Sequence, residues 1–150
     1  AEIDAAGPEL SGLVNDLLRN AHGPRFTVST QTTQLSANGK RVLEGCAISV
    51  IDTEKGREAE ASTFSGGEKT ILGEALSLAI SMMGCRRSGL EGVTLVRDES
   101  GAALDPENAR VYVAMLRRTA EIVRASHVLL VSHQPEVVEL CDARIQLGAA

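Results

Sequence analysis

Apolar and polar positions change their period several times along this chain. Over residues 9–20, Leu10, Leu13, Val14, Leu17 and Leu18 recur at helical spacing and leave a polar back, which predicts an amphipathic helix. Gly23–Pro24 breaks it. The texture then turns β-branched and alternating, first in RFTVSTQT and later in RVLEGCAISVID. Asn38–Gly39, between the two runs, is a hairpin signal. The stretch TEKGREAEAS reads as a polar loop.

A second pattern starts at residue 68. From there to about residue 83 helix formers are apolar on nearly every side, which predicts a buried helix. GVTLVRDES and HVLLVS read as buried parallel strands. Between them Asp105–Pro106 opens a helix, with Asp105 as N-cap and Pro106 at its first position. Pro135 starts a short helix ending near Cys141, and ARIQLG reads as a last strand. Helices alternating with strands predict an α/β class with a mostly parallel sheet covered by helices. The expected division is a root helix over residues 1–22, a β-rich segment over 25–60 and an α/β lobe over 61–150.

The 150 residues suit one domain. Aromatics make up only 2%, so Leu, Val, Ile and Ala must build the core. A net charge of −5 argues against a broad basic footprint for nucleic acid. The pairs Lys40–Arg41, Arg86–Arg87 and Arg117–Arg118 read as solvated surface. Cys46, Cys85 and Cys141 are far apart and odd in number, which fits reduced, buried thiols. Neither a leader pattern nor an apolar run of membrane length occurs. The chain begins at Ala1 rather than at a methionine and is expected to be a piece of something longer.

Three polar clusters stand at strand ends or a helix start, where α/β folds bind ligands. Asp98–Glu99 ends a strand. Adjacent strand residues face opposite sides, so the two carboxylates would have different tasks. Asp98 suits Mg²⁺ carried on nucleotide phosphates, and Glu99 could deprotonate an attacking water; the plain alternative is two solvated acids. His133 ends the next strand and could hydrogen-bond a γ-phosphate or serve structure. Ser65–Gly66–Gly67 precedes a helix, whose N-terminus offers unpaired N–H groups to anions. The plain alternative is a simple Ser65 cap, although tandem glycines carry an entropic cost. His22 and His127 have no comparable company.

In order, FSGGEK, VTLVRDES, SGAALD and LLVSH resemble the signature motif, Walker B strand, D-loop and H-loop of ABC-type ATPases. Glu68 after the glycines and the AALD form resemble the SMC-like branch. From about residue 16 onward the chain resembles the C-terminal head segment of SbcC-type DNA double-strand-break repair ATPases. The resemblance implies ATP and Mg²⁺ as cofactors, with Asp98 serving Mg²⁺ through water, Glu99 as catalytic base and His133 sensing the γ-phosphate. Ser65, Gly66, Gly67 and Glu68 would face the ATP of an opposite subunit, and Asp105 would lie along the dimer interface. Two positions depart from the pattern: Arg97 stands where an apolar residue is usual, and Ser100 where proline is common. By alternation, Arg97 points away from Asp98, toward a partner or a carboxylate across the sheet.

A P-loop reads Gly, four residues, then Gly-Lys-Ser or Gly-Lys-Thr. The sole Gly-Lys pair, Gly39–Lys40, is followed by Arg41, and Gln34 takes the first glycine's place. The resemblance therefore implies an N-terminal P-loop half elsewhere in the same protein, beyond a coiled coil rooted in the first helix. Further implied partners are a second head in a homodimer, an SbcD-type nuclease and DNA, in a cytoplasmic, nucleoid-associated setting with no membrane. The chain alone would be inactive. Alternatives are a head lobe of another SMC-like or RecN-like ATPase, a non-catalytic interface module, and a free-standing metal-dependent hydrolase, for which no HxH or HExxH ligand set is at hand.

Overall fold

The helix expected over residues 9–20 is the middle of a longer one, α1 (Glu2–His22). It belongs to a computed structural model that describes residues 2–35, 42–54, 56–59, 64–98 and 104–148. Helix-forming residues at its start carry α1 across Pro8, which forfeits one backbone bond. Gly23 ends α1 at φ +77, with its N–H on the Arg19 carbonyl at 3.2 Å, a left-handed cap open to glycine.

The chain turns at Pro24 into β1 (Phe26–Leu35), which pairs antiparallel with β2 (Val42–Asp52). The pairing runs from Phe26 opposite Asp52 to Leu35 opposite Val42, with a slip between Gln31 and Thr33. The Asn38–Gly39 turn lies outside the described residues. α1 is stitched onto β1 by side chains. Asn15 Nδ2 donates to the Val28 carbonyl at 2.8 Å, its Oδ1 accepts the Val28 N–H at 2.7 Å, and Ser11 Oγ accepts the Thr30 N–H at 3.0 Å. Backbone groups that would form an open edge are thereby satisfied by the helix. The polar loop expected next contains a short strand, β3 (Arg57–Ala59), antiparallel to β2. Gly56 at φ +60 lets the chain double back there.

α2 (Gly66–Ser88), β4 (Thr94–Asp98), α3 (Pro106–Val123), β5 (His127–Val131) and α4 (Pro135–Val138) complete the described order. β4 and β5 pair parallel, Thr94 beside His127 through to Asp98 beside Val131. The expected hairpin region and the parallel pairing of the later strands are both present, as two separate sheets: three antiparallel strands and, among the described residues, a parallel sheet of only two. Strands contiguous in sequence can close through short turns, whereas a parallel pair grows only by crossovers.

Three packing expectations also change. α2 is not buried all round; its buried stripe is Ile71, Leu72, Ala75, Leu78, Ala79, Met82 and Met83, and Ile80 on the back is exposed. β4 and β5 are not buried on both faces. Leu95, Arg97, Val128 and Leu130 are half-buried on the helical side, while Val96, Leu129 and Val131 stand 63%, 51% and 48% exposed on the other. The described helices supply one covering layer, not two. The last strand is absent: ARIQLG is irregular, with Ile145 and Leu147 exposed, because no described strand lies beside it to complete its ladder.

The core lies among α1, α2 and α3, around Leu17, Ile71, Leu78 and Tyr112. Arg118 Nε of α3 reaches Asp16 Oδ2 of α1 at 2.8 Å, and Arg117 pairs with Asp142. Cys85 and Cys141 are free and half-buried; the side chain of Cys46 lies outside the description. No described helix is long and apolar enough to cross a membrane.

Candidate functional site

The clusters expected from sequence resolve into two pairs. The first is the N-terminus of α2 against that of α3. Ser65 is the N-cap of α2 in extended backbone, φ −60 and ψ 163. Its Oγ accepts the Glu68 N–H at 3.3 Å, and Glu68 Oε2 accepts the Ser65 N–H at 2.9 Å, a reciprocal capping box. This arrangement has a chemical consequence. Ser65 Oγ serves as acceptor within the cap, so its hydroxyl hydrogen remains to donate elsewhere. By helix geometry the N–H groups of Gly66 and Gly67 have no intrahelical partner.

The tandem glycines differ in surroundings. A Cβ on Gly66 would meet nothing within 4 Å, so that position is open. A Cβ on Gly67 would stand 2.5 Å from Asn108 Nδ2 and 3.7 Å from Asp105 Oδ2. Asp105 caps α3 as expected, Oδ1 accepting the Asn108 N–H at 2.9 Å and Oδ2 accepting from Asn108 Nδ2 at 2.7 Å. The backbone bond from Asn108 holds the exposed Asp105 carboxyl below its usual value. Gly67 is therefore small because the start of α3 leans on it.

Glu68 is also tied to the turn that leads into β1. Its Oε1 accepts from Arg25 at 2.6 Å. The Ser65 backbone N–H lowers the Glu68 carboxyl below its ordinary range; burial opposes this, and the Arg25 charge adds to it.

The second pair sits at the C-terminal ends of β4 and β5. Asp98 lies beside Val131 on the exposed face, and His133 follows two residues later. Both are exposed. Glu99 and Ser100 lie outside the described residues, as does the 99–103 link between the two pairs. Arg97 points to the helical side and finds a carboxylate there: it pairs with Glu74 of α2 and donates to Ser77 Oγ at 3.3 Å. Burial would lower its pKa, but Tyr112 and the Glu74 charge outweigh it and raise it. Among the described residues no group of three His, Cys, Asp or Glu side chains is gathered for a metal. Mg²⁺ carried on phosphates needs only one or two carboxylates, and Asp98 at an open strand end fits that demand.

No protein-family model matches the chain. Over 93 residues, 62% of this chain, it is 36% identical to a DNA double-strand break repair Rad50 ATPase of Pyrococcus abyssi (strain GE5 / Orsay). The match spans 10% of that relative's length. A solved structure, from work on the structural biochemistry of ATP-driven dimerization and DNA-stimulated activation of SMC ATPases, superposes with a TM-score of 0.70. That likeness covers 99% of this chain and 81% of the other at 15% identity. Over those 93 residues the chain is similar in sequence to a Rad50 ATPase, and nearly all of it has the fold of the SMC ATPase structure. The sequence offers Ser65 to Glu68, Asp98, Asp105 and His133 as candidates, and gives no sign of the contacts that Arg25 and Asn108 make with the turn. The capping box was legible as Ser65 and Glu68 three apart; Arg25, 43 residues from Glu68, left no local trace.

Proposed function

We propose that the chain is the C-terminal half of an ATP-binding and hydrolysing head in an SbcC-type DNA double-strand-break repair ATPase. The head dimerises with a second copy around ATP and regulates an SbcD-type nuclease on DNA ends. α1 is the root of its coiled coil, and a P-loop half of the same protein completes the nucleotide site. The observation that carries this reading is the signature turn: a capped helix N-terminus keeps the Ser65 hydroxyl and the Gly66 side open, in a chain without a P-loop. Such a turn suits a phosphate delivered from outside the chain. The similarity to the Pyrococcus Rad50 ATPase favours the repair branch over other SMC-like ATPases.

Asp98 would hold Mg²⁺ through water, and the ion supplies neutralisation of phosphate charge. Glu99 acts as general base toward the attacking water, help worth roughly 10²–10⁴ in rate. His133 donates to the γ-phosphate. Ser65, Gly66 and Gly67 meet the γ-phosphate of ATP on the opposite head, and Asp105 lines the interface between heads. The open face bearing Val96, Leu129 and Val131 is where the missing P-loop half supports the parallel pair.

The test is Ser65→Arg in the intact protein. ATP binding at the same head should survive, and ATP-dependent association of heads should be lost. Normal association would overturn the assignment.

A further inference from the structure

Two consecutive residues, Arg25 just before β1 and Phe26 at its start, grip both flanks of the signature turn. On one flank, Phe26 packs edge-on against Phe64, ring centroids 5.5 Å apart at 87°. Phe64 is buried and directly precedes Ser65. On the other flank, Arg25 binds Glu68 Oε1 at 2.6 Å, while the second Glu68 oxygen holds the Ser65 N–H at 2.9 Å. One carboxylate thus links the arginine to the backbone of the turn.

Arg25 is itself fixed. Its guanidinium is 4.5 Å over the Phe26 ring. It lies 3.4 Å from Asp52 Oδ2 at the end of β2 and 3.3 Å from Glu54 Oε2. Asp52 is fully buried, so that end of the network cannot swing. A planar fork with five donors can serve several carboxylates at once, which an ammonium cannot do in the same geometry. A surface ion pair would add little. Here three carboxylates, from β2, the turn after it and α2, converge on one half-buried cation.

We propose that Arg25 is a positioning residue for the signature turn. By clamping Glu68 it fixes the Ser65 backbone, and with it the hydroxyl and first-turn N–H groups that meet the phosphate of an opposing head. This rests on the functional reading above. The effect passes through Glu68; Arg25 touches no nucleotide.

The experiment compares R25A, R25K, E68Q, R25A/E68Q and S65R with the wild-type intact protein. ATP binding at the same head, ATP-dependent association of heads and thermal unfolding are read together. Loss of one charge-assisted bond corresponds to about tenfold weaker association for R25A. ATP binding should stay within about twofold and R25K should recover part of the loss. R25A/E68Q should be no worse than the weaker single variant, as expected when both act through one contact. Wild-type association by R25A, alongside failure by S65R, overturns this proposal alone. Parallel loss of ATP binding and association also overturns it, because a merely structural role does that. If R25A does not fold, R25K decides: undiminished association overturns the proposal. Normal association by S65R overturns the functional reading and this proposal with it.

Discussion

Gly67 lies against Asn108: a Cβ on the glycine would stand 2.5 Å from the Asn108 amide nitrogen. That amide is held at 2.7 Å by Asp105 Oδ2, so it cannot give way without losing its bond. The two signature glycines therefore serve different ends. Gly67 permits two helix starts to converge, and Gly66 leaves a surface uncovered.

Alanine at each position should separate these roles. Gly67→Ala gains helix propensity but either displaces the Asn108 amide, losing its bond at a cost of about 1 kcal/mol, or overpacks against it at about 1–3 kcal/mol. Net destabilisation is expected, relieved by adding Asn108→Ala. Gly66→Ala meets no atom and should be neutral or stabilising by up to about 1 kcal/mol. In the intact protein it should nevertheless weaken ATP-dependent association, because a methyl stands where a phosphate approaches. Denaturant unfolding alongside an association assay checks both; equal stability changes at the two positions would refute the division.

The Arg97–Glu74 pair, beneath the parallel strands, behaves as a half-buried couple. Removing one partner strands the other charge, a cost of about 3–5 kcal/mol in full burial. Both side chains retain some exposure, 18% and 16%, so about 2 kcal/mol is expected for Glu74→Leu or Arg97→Leu alone. The double change Glu74→Leu with Arg97→Leu should be close to neutral. A double-mutant cycle by chemical unfolding measures this, and additive losses would show that the pair is not coupled.

The uneven legibility of this chain has a physical basis. α1, α3 and the β1–β2 hairpin announce themselves through local periodicity and turn chemistry, because their patterns repeat within a few residues. Ser65 and Asp105 were readable as caps for the same reason. The Arg25–Glu68 contact was not, since it joins residues made neighbours only by packing of the hairpin on α2. The open face was misread because VTLVR and HVLLV are apolar on both sides, the composition of strands with two covered faces. If the proposed P-loop half covers the second face, that composition belongs to the whole head.

Acid should cost the turn at the start of α2 more stability than it costs a carboxylate whose pKa folding leaves unchanged. Glu68 titrates below its ordinary value of 4.5 in the folded chain, chiefly through the Ser65 backbone N–H. A depressed carboxyl stabilises the fold fully above the unfolded value, and that contribution is lost as pH falls through the folded one. As the pH falls below 4.5 the wild type should therefore lose more stability than Glu68→Gln, which has no charge to lose. Thermal unfolding of both proteins across that range is the measurement. Parallel curves would mean that Glu68 is not held in its charged form by the turn.

The exposed face of the parallel pair makes a prediction about the chain by itself. Val96, Leu129 and Val131 form an apolar strip, and β4 and β5 each have an edge without a described strand beside it. Unpaired edges with apolar faces associate. The isolated chain should therefore self-associate with rising concentration, and Leu129→Glu should suppress this by placing a charge in the middle of the strip. It should also fail to turn over ATP, because its sequence lacks the P-loop. Sedimentation at several concentrations and a turnover assay address the two halves separately. A strictly monomeric wild-type chain would show that the strip is covered within the chain itself. Saturable ATP hydrolysis would show that the site needs no second half.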